Sequence, residues 1–337
     1  MSGYCTVSIG SGLVDSIYGN CQVPLKSYLE KRGEAFERES LLKYLFRMET
    51  SRHWAERYSA ETAMDSFVPV GEGGDYPKTG FQESYKKDIE NMTFKNSFAV
   101  TRELMEDAMI GTMKQRANQL ITSYGRTREL FGRALYAGGL YGTTVNYGGK
   151  SFVCGSADGL NLFHKEHVNK VNGAKQCNLY KGAFSATVLD KMETEMQNRT
   201  GDNGELLAVA PDTIWIPNDA DLKRKVFSAI GADKEPTSAN NAYNYQFGRW
   251  NVIVDPYMTK ALKDLGKTDV PFFLLDSHFI QMADAAIFQD RVKLEVRSVL
   301  DENNDNNVWK GFSRFGAGFV DWRFISAGNM STGTDLT

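Results

Sequence analysis

Apolar side chains recur at Met105, Met109, Met113, Ala117, Leu120, Tyr124, Phe131 and Leu135, in steps of three or four residues broken only by Thr127 and Arg128. That spacing puts them on one face of a helix, so the stretch from about Phe98 to Gly139 reads as one long amphipathic helix. Thr101 can cap its start, because a threonine hydroxyl accepts an orphan backbone N–H. Glu103, Glu106 and Asp107 sit in the first turns and Arg126, Arg128 and Arg133 near the end, the charge order a helix dipole favours. Gly138 and Gly139 supply a left-handed stop. The helix would be roughly 55 Å long, and Gly125 and Gly132 are points where it could bend. It is too charged to cross a membrane. A long helix with one apolar stripe needs other elements laid along it, and so serves as a spine.

The remaining patterns are shorter. Residues up to about Val23 are Gly- and Ser-rich and read as an extended arm. From Pro24 to about Asp65 the apolar spacing becomes helical, through Leu25, Tyr28, Leu29, Phe36, Leu41, Leu42, Leu45 and Phe46, with Gly33 as an interruption. Such an amphipathic segment packs either on its own chain or on a partner. Phe67 to Asn96 opens with Pro69, Gly71, Gly73, Gly74, Pro77 and Gly80, then alternates loosely through Phe81, Tyr85, Ile89, Met92 and Phe94. It reads as two ragged strands reaching out in a long hairpin, and a connection of that length is usually functional. Leu140 to Asn178 is Gly-rich and without clear period. A second helix spans Ser185 to Arg199, ended by the turn TGDNG, and a third runs from Asp219 to Ile230. LLAVAPDTIWIP, Trp250–Tyr257, Pro271–Leu275 and Ala286–Leu300 are strand candidates. The last pairs across the polar turn DENNDNN with the aromatic run from Val308 to Phe324. Residues from about Ser326 are small and polar and read as a frayed tail.

Composition adds limits. The 337 residues are 42% hydrophobic and 24% charged, which fits one large or two ordinary domains and argues against large-scale disorder. A formal net charge of −3 offers no surplus for phosphate neutralisation and disfavours nucleic-acid binding as the primary role. The four cysteines form no dense framework, the N-terminus shows no leader pattern, and no stretch reaches the length of a membrane span. The expectation is a chain with free thiols made in a reducing compartment.

Candidate chemistry is sparse. GEGGDYPKTG at Gly71–Gly80 has the look of a phosphate loop, but Pro77 stands where an N–H is needed. Cys154, His164, His167 and Cys177 are the most metal-like cluster, yet they contain no close cysteine pair. Paired carboxylates such as Glu193/Glu195 and Asp301/Glu302 read as solvated surface. No catalytic or dinucleotide motif is present. The expectation is no catalytic residue, no cofactor and no metal, with a metal-dependent enzyme built on the Cys154/His164/His167/Cys177 cluster as the alternative.

The order of phrases resembles one family, the major capsid proteins of tailed bacteriophages with the Hong Kong 97-type fold. MTFKNSFAVTRELMED at Met92–Asp107 resembles that family's passage from extended loop to spine helix. LFHKEHVN at Leu162–Asn169 is similar to its stretch after the spine, and FSATVLDKMETEMQNRTGDNGELLAVAPDTIWIPNDADLKRK to the helix, turn, strand and helix that follow. NVIVDPYM, FFLLDS and RFGAGFVDWRF resemble its later strands. The likeness runs from about Ser66 to Gly328. It implies an α+β fold with an N-terminal arm over 1–65, an extended E-loop over 66–98, a P-domain from 99–209 and 286–328, an A-domain over 210–285 and a frayed tail over 329–337. It implies a structural protein, not an enzyme, that assembles as pentamers and hexamers of an icosahedral head around double-stranded DNA. A compartment of the encapsulin type is the allied alternative. Portal, scaffolding and decoration proteins are the implied partners, with DNA near the inner surface, no membrane, and assembly in the host cytoplasm. Tyr76, Lys78, Phe81, Tyr85, Lys87 and Phe94 are the implied inter-subunit contacts. No lysine of the E-loop can be matched to the cross-linking chemistry that some members carry out.

Overall fold

The computed structural model describes residues 31–61, 67–73, 75–76, 78, 83–103, 110–231, 243–301 and 306–336. Readings that fall on the arm before residue 31, on Met105 and Met109, on Phe81, and on the 232–242 and 302–305 turns lie outside these residues. Two sheets and a long helix between them make up the body.

The first sheet is built on the hairpin expected near the C-terminus. Strands β12 (Ala286–Asp301) and β13 (Asn306–Phe319) pair antiparallel along their length, from Ala286 opposite Phe319 to Asp301 opposite Asn306. Strand β4 (Met92–Val100) adds antiparallel to β13, and the short β1 (Arg47–Thr50) adds parallel to β12. Alternate residues of β13 are buried, as a sheet with one face on a core requires.

In the second sheet, β9 (Thr213–Pro217) lies between β10 (Asn251–Asp255), parallel to it, and β11 (Phe272–Leu275), antiparallel; β14 (Ile325–Gly328) closes the edge on β11. Both faces are covered, so β9, β11 and β14 are buried throughout. The period of two decides which core each residue joins. Ile214, Ile216, Phe272 and Leu274 pack with helices α4 (Ala186–Gln197) and α5 (Ala220–Ile230). Trp215, Phe273 and Leu275 turn the other way, to the core shared with the spine helix, α6 (Pro256–Asp264) and α7 (Ser277–Met282). The helix starts follow cap chemistry: Ser185 accepts from Val188, and Asp219, Asp255 and Asp276 cap α5, α6 and α7.

The spine helix α3 is continuous over Ile110–Gly139, about 45 Å at 1.5 Å per residue. Residues 102–103 are also helical and 104–109 lie outside the described residues. Phe98 and Ala99, at the front of the expected helical stretch, belong to β4. The spine's glycines are seats for neighbours instead of bends or stops. A Cβ on Gly125 would stand 2.1 Å from the Phe36 ring, and one on Gly132 2.6 Å from Leu42. Gly138 and Gly139 approach Val145 and Leu162 in the same way, and neither has the positive φ of a left-handed stop. The N-terminal segment, helical over 31–39 (α1) and Leu42–Leu45 (α2), therefore lies on the spine of its own chain.

The two residues that break the spine's stripe are explained by what lies opposite. Arg128 is buried with its guanidinium bidentate on Asp290 of β12, at 2.5 and 2.9 Å, and over the rings of Phe288 and Phe315. Thr127 turns its hydroxyl to the Ser123 carbonyl at 2.8 Å. Arg133, fully buried, donates from Nε to Asp255 at 2.6 Å and also pairs with Glu129. Asp255 accepts from Trp215 too, so one carboxylate caps α6 and ties the spine to the second sheet. These arginines bind the spine to both sheets; they do not act chiefly as complements of its dipole.

Two further readings are corrected. Arg47–Thr50 and Ala55–Glu61 (β2) are strands, where the apolar spacing predicts helix as far as Asp65. Pairing with β12 and with β3 (Glu83–Glu90) supplies their hydrogen bonds and overrides local propensity. The C-terminal residues are not frayed: Met330 is fully buried, Thr334 donates to the Leu179 carbonyl at 2.8 Å, and Leu336 packs against the second core.

Candidate inter-subunit surfaces

Strands β2 and β3 form a two-stranded ribbon that stands apart from both sheets, with Ala55 opposite Glu90 at its base and Glu61 opposite Glu83 near the far end. The hairpin that the sequence placed over 66–98 thus uses an earlier first strand, and its expected second half, β4, belongs to the body.

Alternation along β3 divides its side chains. Ile89, Lys87 and Tyr85 face the body, whereas Lys86 and Asp88 face solvent, where Asp88 takes a bidentate pair from Arg57 at 2.7 and 2.8 Å. The base is fixed firmly. Ile89 is buried over Gly318, whose missing Cβ would stand 3.0 Å away, and Gly316 gives the same close approach to the Glu90 carbonyl. Gln289 donates to the Ile89 carbonyl at 2.8 Å and receives the Tyr58 hydroxyl at 3.1 Å. Farther out the contacts thin to single bonds. Lys87 donates to the Gly155 carbonyl at 2.9 Å, and burial there pushes its ammonium below the usual lysine range. Tyr85 reaches the Val168 carbonyl at 3.5 Å, with the Lys170 ammonium 5.4 Å from its ring.

Beyond the ribbon, the described residues 67–73, 75–76 and 78 are all exposed. Phe67 is wholly exposed, Tyr76 is 92% exposed, and Val68 and Val70 are more than half exposed.

The six contact residues named from the sequence therefore separate. Tyr76 and Lys78 stand free in the exposed segment, and Phe81 lies outside the described residues. Tyr85 and Lys87 touch their own chain. Phe94 is a correction: it stacks on Phe315 with ring centroids 4.1 Å apart and meets Phe131 edge-on, so it belongs to its own core, where β4 pairing puts it. The sequence reading passed over Phe67, Val68 and Val70. Their signal is an apolar run, FVPV, leading straight into a Gly/Pro tract that can carry it to no core of its own.

A second exposed aromatic group lies on the other sheet's side: Phe227 of α5 with Tyr243, Tyr245 and Phe247, each 46% exposed or more. The cysteine–histidine cluster does not converge. His167 is bonded to Asp158, Cys154 donates to the Gly142 carbonyl, and Cys177 contacts the Leu179 carbonyl. Among the described residues no group of three or more His, Cys, Asp or Glu side chains is placed to hold a metal. No described helix is long and apolar enough to cross a membrane.

Comparison with known proteins bears on these surfaces. The sequence pattern of a family described as phage capsid protein matches residues 86–327. No curated protein sequence matches the chain. Among solved structures, the capsid of cyanophage P-SCSP1u is similar at 9% identity and a TM-score of 0.53, covering 86% of this chain and 87% of the other. The capsid of Ralstonia phage GP4 is similar at 8% identity and a TM-score of 0.53, over 84% and 86%. A structure from Mycobacterium phage Patience reaches 99% and 93% coverage at 10% identity and a TM-score of 0.51. At such identities the likeness is one of fold.

Proposed function

This chain belongs to the phage capsid protein family and is a structural major capsid protein, and from that premise we propose that its copies gather as pentamers and hexamers into a closed icosahedral head around double-stranded DNA. The family match over 86–327 is the observation that carries this reading. The exposed tip beyond the ribbon supports it, since a monomer gains nothing from presenting Phe67, Val68, Val70 and Tyr76 to water.

In this reading the ribbon and its tip are the E-loop, laid across a neighbouring copy. The spine helix with the β12–β13 sheet is the P-domain, and the second sheet with its helices is the A-domain. Tyr76 and Lys78 join Phe67, Val68 and Val70 as the contacts made there. The net charge of −3 suits a wall that encloses DNA without reading its sequence, because little counterion release is available. Portal, scaffolding or decoration proteins would complete the particle, assembled in the host cytoplasm. A metal-dependent enzyme draws no support from side chains that each have a separate partner, and the family match favours a phage head over a cargo compartment.

Sedimentation of the chain expressed alone and together with a candidate scaffolding protein tests the proposal. The expected result is a fast-sedimenting species of particle size in at least one of the two preparations. Monomer or dimer only, in both, contradicts it.

A further inference from the structure

The two carbonyls that receive the outer ribbon lie on different loops. Gly155 belongs to the turn after β6 (Lys150–Val153), and Val168 to β7 (His167–Val168). A side-chain contact joins those loops: Nδ1 of His167 stands 2.6 Å from Oδ2 of Asp158. His167 is fully buried and stacks on Trp322 at 4.1 Å with the rings nearly parallel, and its Nε2 has no hydrogen-bond partner. Asp158 is set in turn by the Ser156 hydroxyl and by the Leu160 N–H at 3.0 Å.

The charges around the imidazole come from every element packed on it. Asp158 faces it from the 155–160 turn and His164 from its own loop, with ring centroids 5.7 Å apart. Arg199, just beyond α4, and Arg323, before β14, lie over Trp322 at 5.3 and 5.1 Å. Arg323 is itself paired with Asp202 and Asp321. From the ribbon, Lys87 and Tyr85 both feel the Asp158 charge.

We propose that the Asp158–His167 contact is a pH-sensitive latch, which holds the two receiving loops together while His167 is neutral and releases the ribbon beyond Ile89 when His167 takes a second proton. A neutral imidazole donates from Nδ1 to Asp158 and leaves Nε2 as a bare lone pair. The added proton makes Nε2–H a buried donor with no acceptor, and an unsatisfied buried donor is costly. Asp158 favours the proton, but burial, with His164 and Arg199, outweighs it and holds the imidazole below the ordinary histidine range. The contribution is thus complete above about pH 6.5 and is lost as pH falls from there through the lower folded value. Burial pushes the Asp158 carboxyl up, yet His167, Ser156 and the Leu160 N–H together hold it below the usual range, so its own loss needs stronger acid, under about pH 4. Once undocked, a ribbon of two strands is marginal in water.

The latch deepens the reading of the ribbon as an arm between subunits, but it acts within one chain, so its test needs no shell. Hydrogen exchange of the full-length unassembled subunit is followed at about pH 7.5 and about pH 5, corrected for intrinsic exchange rates. Protection at 83–88 should fall in acid, while the spine helix is unchanged. His167→Gln, whose amide can still donate to Asp158 but does not titrate, should flatten that difference. Lys87→Met should lower ribbon protection at both pH values. Equal protection at both pH values in the wild type overturns the proposal, as does a wild-type drop retained in His167→Gln. Wild-type protection with an unaltered pH response in Lys87→Met overturns it as well. Particle formation is not read, so failure here leaves the shell reading to stand or fall on sedimentation.

Discussion

Arg128 and Arg133 are charges taken out of water on a helix whose other buried contacts are largely apolar, and each meets a carboxylate from a different sheet. Removing one partner of such a pair strands the other. Arg128→Met or Asp290→Asn alone should therefore lower subunit stability by about 3–5 kcal/mol, and the joint replacement Arg128→Met with Asp290→Leu should recover most of that loss. Denaturant titration of the unassembled subunit checks both. Phe94 and Phe67 make a sharper contrast, because both are aromatic residues near the ribbon with opposite surroundings. Phe94→Ala removes a ring stacked on Phe315 and should cost the subunit about 2–4 kcal/mol. Phe67→Ser removes a ring in contact with water and should leave the subunit's melting temperature unchanged while particle yield drops. A strong loss of subunit stability in Phe67→Ser would place that residue in its own core.

At the scale of elements, the spine shows why periodicity carried part of the fold and no more. The stripe from Ala117 to Leu135 was legible because a helix buried along one face must repeat its apolar residues. The meaning of Gly125 and Gly132 was not, since a bend and a seat for a neighbour look alike until Phe36 and Leu42 are seen against them. Gly132→Ala should gain about 1 kcal/mol of helix propensity and lose about 1–3 kcal/mol to the clash with Leu42 and Phe46, so thermal melts should show a net decrease. The β12–β13 hairpin and the caps at Ser185 and Asp219 could be read because their signals are local. Helix α6 was passed over although Asp255 followed by Pro256 is a cap with proline at the first helical position. The ribbon was displaced because β2, AERYSAE, carries charges at helical spacing and is a strand only by virtue of β3 beside it. Tyr76 and Lys78 could be singled out from the sequence; the dock of Lys87 on Gly155 could not, because it joins residues remote along the chain.

At the scale of the whole molecule, the body is closed on itself and the tip beyond the ribbon is not. The spine is tied to both sheets by ion pairs and the C-terminus is bonded back at Thr334, while Phe67, Val68, Val70 and Tyr76 of the tip, like the aromatic residues around Tyr243, stand exposed. The most direct measurement is a single-particle electron-microscopy reconstruction of the purified assembly. It should show a closed icosahedral shell in which each copy's Phe67–Val70 segment lies against a neighbouring copy. Small discrete oligomers without a shell, or a shell in which that segment faces solvent, would contradict the account.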